Sequence, residues 1–294
     1  MFTDAIERVS KFTRPIHTIS RYYNSTEIVP GSATLFVVNK DGWAITCKHI
    51  VQMLTSPTRV NNTYDSFRRE LNKIKGTDNF AEKKAALEKK YNYTPSSIVE
   101  LRNNLVDCVD KTSSFKIHAH PVYDLALVRF EGFDKLFCNS FPVFQADDSY
   151  LKQGRFLCRL GYPFPEFTNY RYDPEKDLME WTSDGRSRSP IFPIEGMITR
   201  FLRDKARIYG IEMSVPGLRG QSGGPLFNDK GIVQGMQFAT KHLHLGFDVE
   251  NKEIRVNGSK KRVRDYPFLH LGHCIHVSIL KDFMREKGVE YREE

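Results

Sequence analysis

Short runs of β-branched and aromatic residues, broken by turn residues, recur along most of the chain and predict strands. Helical spacing of apolar residues takes over in only a few places. The first is Thr3 to Arg14, where Ala5, Ile6, Val9 and Phe12 share one side and Pro15 marks the end. Its apolar face is small, so packing on the outside of the main domain is favoured over a membrane surface. Ile16 to Tyr23 and Ser32 to Asn39 read as strands. Lys40-Asp41-Gly42 then makes a hairpin turn into a returning strand, Trp43 to Cys47.

Residues 66–91 break this rhythm. Phe67, Leu71 and Ile74 predict one helix, stopped by Gly76-Thr77-Asp78-Asn79. Asn79 with Glu82 forms a capping-box pattern for a second helix that carries Phe80, Leu87 and Tyr91. Strands resume at Ser113 to His118, Tyr123 to Phe130 and Phe156 to Tyr162. The stretch from Pro163 to Pro193 holds five prolines among polar and aromatic residues and reads as a long exposed loop. Further strands follow at 195–199, 208–215 and 231–238. Lys252 to Val256, Asn257-Gly258 and Lys260 to Arg264 read as a basic hairpin with a type I′ turn. A helix from Ile279 to Lys287 closes the pattern.

Composition narrows the picture. A chain of 294 residues, 40% hydrophobic and 27% charged, can bury a sizeable core, and its apolar runs are too short to span a bilayer. Charges scattered through Met1 to Ser20 argue against a secretory leader. Five cysteines, an odd number without close spacing, suit reduced thiols and a cytoplasmic location. The net charge of +8 is local: residues 66–91 carry eight Lys/Arg against four Asp/Glu, and residues 251–264 six against one. The rest is nearly neutral. Solvated faces and a guarded strand edge explain both segments better than nucleic acid does.

Gly220-Gln221-Ser222-Gly223-Gly224-Pro225 carries the chemistry. Glycine at 220 permits a backbone turn in which the amides of Gly220 and Ser222 converge on one oxygen. A hydroxyl needs a base to become a nucleophile, and the base needs an orienting acid. His49, after the strand that starts at Trp43, and Asp124, before the apolar run Leu125 to Val128, supply the two types. His118 and His120 read as structural. His270, His273, Cys274 and His276 have zinc-ligand chemistry, but alternation along a strand keeps them from converging, so no metal is expected.

In the order His49, Asp124, Ser222 these motifs resemble the chymotrypsin/trypsin-like serine peptidases, and most closely the bacterial trypsin-like, HtrA-type protease domains without PDZ modules. The resemblance implies an all-β fold of two six-stranded barrels, with a helical insertion at 66–91 and a C-terminal helix. It divides the chain into a lead-in, 1–21, and a peptidase domain, 22–285, whose barrels meet near residue 140. It also implies acyl transfer, with His49 as base, Asp124 orienting it, and Gly220 and Ser222 amides as the oxyanion hole. No cofactor is required. The partners implied are a protein or peptide substrate and a regulatory protein, with neither membrane nor nucleic acid.

Trypsin-type members select Lys or Arg through an acid six residues before the nucleophile; here that position is Pro216. The implied pocket is Pro216, Gln237, Thr240 and His242, and His242 is able to pair with a carboxylate. Gln221 replaces the acid that receives the freed N-terminus in secreted relatives, and no activation site lies near Ile16 or Ile28. Hydrogen bonds and packing must therefore hold the oxyanion loop. The rival reading is a catalytically silent module of the same fold that binds a peptide or an acidic partner; retention of all three triad residue types favours the enzyme.

Overall fold

A computed structural model describes residues 1–111, 114–205, 207–247, 249–256, 258–265 and 267–294. Helix α1 (Thr3–Ser10) leads directly into strand β1 (Thr13–Tyr22). The predicted helix is thus shorter, and Pro15 lies inside a strand. The Pro15 carbonyl accepts from Val106 N at 3.3 Å, where pairing with the neighbouring strand has already ended, so the missing N–H removes no rung. The next strands are β2 (Ile28–Val37) and β3 (Trp43–Thr46), joined across Gly42 in a left-handed conformation (φ +79°). Three helices follow: α2 (Lys48–Thr55), α3 (Pro57–Ile74) and α4 (Phe80–Tyr91). The insertion therefore begins well before residue 66. Asn79 precedes α4 in the left-handed region with no side-chain capping bond, so the capping box does not form.

Strands β4 (Ile98–Leu105), β5 (Ser114–Ala119) and β6 (Ala126–Glu131) complete the first sheet, in the order β4-β1-β2-β3-β6-β5, antiparallel throughout. Ser113, predicted to start a strand, lies outside the described residues. The sheet takes in β1 from Thr13, ahead of the expected boundary at residue 22.

The second half opens with β7 (Val143–Phe144) and β8 (Phe156–Gly161). Residues 163–193 are not a bare loop. They contain the hairpin β9 (Tyr170–Asp173) and β10 (Leu178–Trp181), which buries Phe167 and Met179 against Ile19 of β1. Next come β11 (Phe192–Asp204), β12 (Arg207–Met213), β13 (Pro225–Phe227) and β14 (Val233–His244). The basic hairpin is β15 (Val249–Val256) and β16 (Ser259–Asp265); Asn257 of its expected turn lies outside the described residues. Strand β17 (Phe268–His276), helix α5 (Val277–Glu286) and strand β18 (Arg292–Glu293) end the chain. The order β13-β8-β11-β12-β17-β14 closes on itself because β14 also pairs with β13. β7 joins β14 in parallel and β18 joins β7, so this sheet runs past residue 285.

The two curled sheets form a chymotrypsin-like pair of barrels. One apolar core runs through both, from Ile16, Leu35 and Phe36 to Leu157, Leu226 and Met236. Ala5 and Val9 of α1 belong to it, Phe2 packs edge-on to Phe227, and Arg8 Nη1 donates to Lys230 O at 2.7 Å. Burial of a side chain such as Val9 contributes about 1.5–3 kcal/mol, enough to dock a helix of this length.

Candidate active site

β3 ends at Thr46, whose hydroxyl donates to Thr34 O at 2.8 Å. Cys47 is still extended, so His49 falls in the first turn of α2 and not at a strand end. Its Nδ1 lies 2.6 Å from Asp124 Oδ2, and its backbone N–H donates to Oδ1 at 2.9 Å. One carboxylate thus fixes both the ring and the backbone of His49, leaving Nε2 as the proton acceptor. Burial pushes the Asp124 carboxyl up, but hydrogen bonds from the His49 ring and backbone outweigh it and hold the pKa below the ordinary carboxylate range.

Asp124 sits in the turn before β6, and His120 shapes that turn. His120 Nδ1 accepts from Val122 N and Tyr123 N at 3.1 and 3.0 Å. Lys48 Nζ donates to His120 O at 3.0 Å and ties the turn to the start of α2. Burial lowers the His120 pKa, which suits a neutral ring that accepts two amides. His118 packs beside Trp43 on β5.

Ser222 lies on the loop before β13. Gly220 has φ +96°, and a Cβ there would meet Tyr162 O at 2.6 Å; Gly223 has φ +87° and would meet Thr34 O at 2.1 Å. Only glycine fits either place. The first barrel grips this loop through Thr34: its N–H donates to Ser222 O at 3.1 Å and its hydroxyl to Gly220 O at 2.7 Å. Gln221 is fully buried; its Oε1 accepts from Leu218 N at 3.0 Å and its Nε2 donates to Phe192 O at 3.2 Å. Neutral hydrogen bonds therefore hold the loop, as expected from the lack of an acid at 221. Among the described residues, neither Gly220 N–H nor Ser222 N–H donates to a protein acceptor.

Ser222 and His49 line one cleft of about 490 Å³ with Pro216, Gln237, Thr240 and His242, the residues expected to form the pocket, and with Arg219 and His270. Thr240 donates to Gly217 O at 2.7 Å. Gln237 is buried, with its side chain committed to Ala239 O, Arg159 and Cys274, so it builds the wall. Sequence reading missed Thr34 and Arg159, and weighed His270 only as a metal ligand. Arg159 had a signal, a lone charge among Phe156, Leu157, Cys158 and Leu160. The pairing of His270 with His242 exists only across β14 and β17.

Donor atoms of Cys47, His49 and Asp124 lie within 4.8 Å of one another, close enough for a metal. Burial pushes the Cys47 thiol well above its ordinary pKa, and its Sγ donates to Gln237 O at 3.4 Å, which argues for a packing thiol. Of the other candidate ligands, His273 bonds Glu212 at 3.1 Å, Cys274 contacts Gln237, and His276 caps α5.

The trypsin-like peptidase domain family matches residues 32–236. Among curated proteins no sequence matches the chain. Similar solved structures include the HtrA-type protease AlgW with a decapeptide, 12% identical, TM-score 0.49, with 97% of this chain and 67% of that one covered. A variant of AlgW with a tripeptide is 11% identical, TM-score 0.47, with 97% of this chain and 63% of that one covered, so this chain spans under two thirds of its length. The family match runs from β2 into β14 and takes in His49, Asp124 and Ser222; the chain belongs to the trypsin-like peptidase domain family.

Proposed function

We propose that the protein is a serine endopeptidase in which His49, Asp124 and Ser222 form the catalytic triad. The observation that carries this reading is a cleft lined by both Ser222 and a histidine whose Nδ1 is already held by a carboxylate at 2.6 Å. His49 Nε2 takes the Ser222 proton as Oγ attacks the peptide carbonyl. Asp124 keeps the tautomer and stabilises the imidazolium, and the Gly220 and Ser222 amides receive the oxyanion. The proton then passes to the leaving amine, and water releases the acyl group by the reverse route. Nothing in this sequence needs a cofactor. The substrate is a peptide or protein segment, and the five buried, unpaired cysteines suit a reducing, cytoplasmic setting.

A fluorophosphonate probe reads nucleophile, base and oxyanion hole together. We expect covalent labelling at Ser222, lost in Ser222→Ala and His49→Ala, and a fall in turnover of about 10⁴ in Asp124→Asn through the wrong tautomer. Labelling at another serine, or none, overturns the triad.

A further inference from the structure

Arg159, on β8, is fully buried behind the cleft wall. Its Nη2 donates to the carbonyls of Val215 and Pro216, both at 3.0 Å, and its Nη1 to Gln237 Oε1 at 2.6 Å. Its Nε has no hydrogen-bond partner. Among the described residues these partners are all neutral, and no carboxylate pairs with the guanidinium. A buried cation without a counter-ion is costly, and an arginine cannot shed its charge to escape the cost. Such a charge persists where something else draws on it.

Its position says what draws on it. Pro216 and Gln237 separate Arg159 from the cleft that holds Ser222. The guanidinium therefore stands behind the place where trypsin-type members put an acid. Across the same cleft, His242 Nδ1 and His270 Nδ1 lie 2.5 Å apart, one donating and the other accepting. Arg219 also lines the cleft, and none of its lining residues carries a carboxylate. Glu212, an acid on the neighbouring β12–β17 face, is consumed by Arg200 and His273, at 2.7 and 3.1 Å. A low-dielectric wall with a cation behind it focuses positive potential into the space in front.

We propose that the pocket beside Ser222 selects an acidic side chain, Asp or Glu, at the residue whose carbonyl is attacked. This deepens the peptidase reading and depends on it. In the histidine pair the ring that accepts at Nδ1 carries its proton on Nε2 and donates it to the substrate carboxylate, the other ring fixes that tautomer, and Arg159 supplies long-range attraction while it braces the Pro216 and Gln237 wall.

The test uses peptidyl diphenyl phosphonates that differ only in the side chain at the attacked residue: Glu, Gln, Leu and Lys. A plain fluorophosphonate, which needs no pocket, runs beside them. We expect the Glu reagent to label Ser222 faster than the Gln and Leu reagents by about tenfold or more, and the Lys reagent to be slowest. His242→Ala and His270→Ala change exposed side chains and should fold; each should compress the Glu-to-Gln ratio toward one, a ratio read within each variant and so independent of its basal labelling rate. Equal rates for Glu and Gln, or preference for Leu or Lys, together with normal plain labelling, overturns the acidic pocket alone. Loss of all labelling, plain probe included, overturns the peptidase reading and the pocket with it.

Discussion

Single residues show how this chain turns burial into function. His17, in the middle of β1, is completely buried, stacks on Phe167 at 3.9 Å and meets Ser189 Oγ at 2.9 Å through Nε2. Burial lowers its pKa to about 4 from the ordinary 6.5 of a histidine, against a smaller opposing pull from Asp107. A histidine depressed in this way stabilises the fold as a neutral ring. Its contribution is complete above the unfolded pKa and drains away as pH falls toward 4, because the unfolded chain gains the proton first. The shift corresponds to about 3 kcal/mol lost across that window. Urea unfolding of the native protein at pH 7 and pH 4 should show the loss, and His17→Gln should flatten the dependence by a similar amount. An unchanged slope in the variant would count against this role for His17.

Among elements, the hairpin β9–β10 and helix α3 owe their places to one buried cation. Arg21 on β1 pairs with Glu100 on β4 at 3.1 Å and with Asp177 of the hairpin at 3.0 Å. Asp177 also takes Arg68 of α3, at 3.3 Å. Glu100→Ala removes the buried partner of Arg21 and leaves it only the partly exposed Asp177, so it should destabilise the protein by about 3 kcal/mol in chemical denaturation. A value under 1 kcal/mol would mean that Asp177 alone satisfies Arg21. The α3–α4 pair has its own small core of Tyr23, Tyr64, Phe67 and Val99. Phe67→Ala should cost about 3–5 kcal/mol and raise hydrogen exchange first in α3 and α4.

These elements also mark how far the sequence is readable. Trp43 to Thr46 and Ala126 to Glu131 were legible because local apolar runs and turn glycines suffice to specify such strands. Glu100, Arg102, Asn103 and Asn104 hide β4 from any apolar pattern, although Glu100 is buried by its arginine. Prolines made 163–193 look like loop, while Phe167 and Met179 gain their burial from Ile19, distant in sequence. The candidate site divides the same way. His49, Asp124 and Ser222 stand in recognisable local settings, but Thr34 and Arg159 act only through contacts that folding creates.

At the scale of the whole molecule, the N-terminal segment belongs to both barrels. β1 is an inner strand of the first sheet, and α1 rests on the second. Cutting between residues 14 and 30 would sever β1 or part it from β2, its partner strand, so gain of activity by such trimming is not expected. Removal of residues 1–10 spares β1; it should lower the melting temperature and leave turnover of a peptide substrate no higher than in the intact chain. A large rise in turnover would reveal restraint by α1.

The seat of α1 also carries a cost in time. Arg8 bonds to Lys230, 222 positions later. A ribosome adding about 5–20 residues per second needs on the order of ten to forty seconds between the two. Through most of that interval α1 has only β1 and then β8 to rest on, and β13 and β14, which close the second ring, have not yet been made. The seat of α1 in the newborn chain is therefore completed late, when the last strands arrive to receive its first helix.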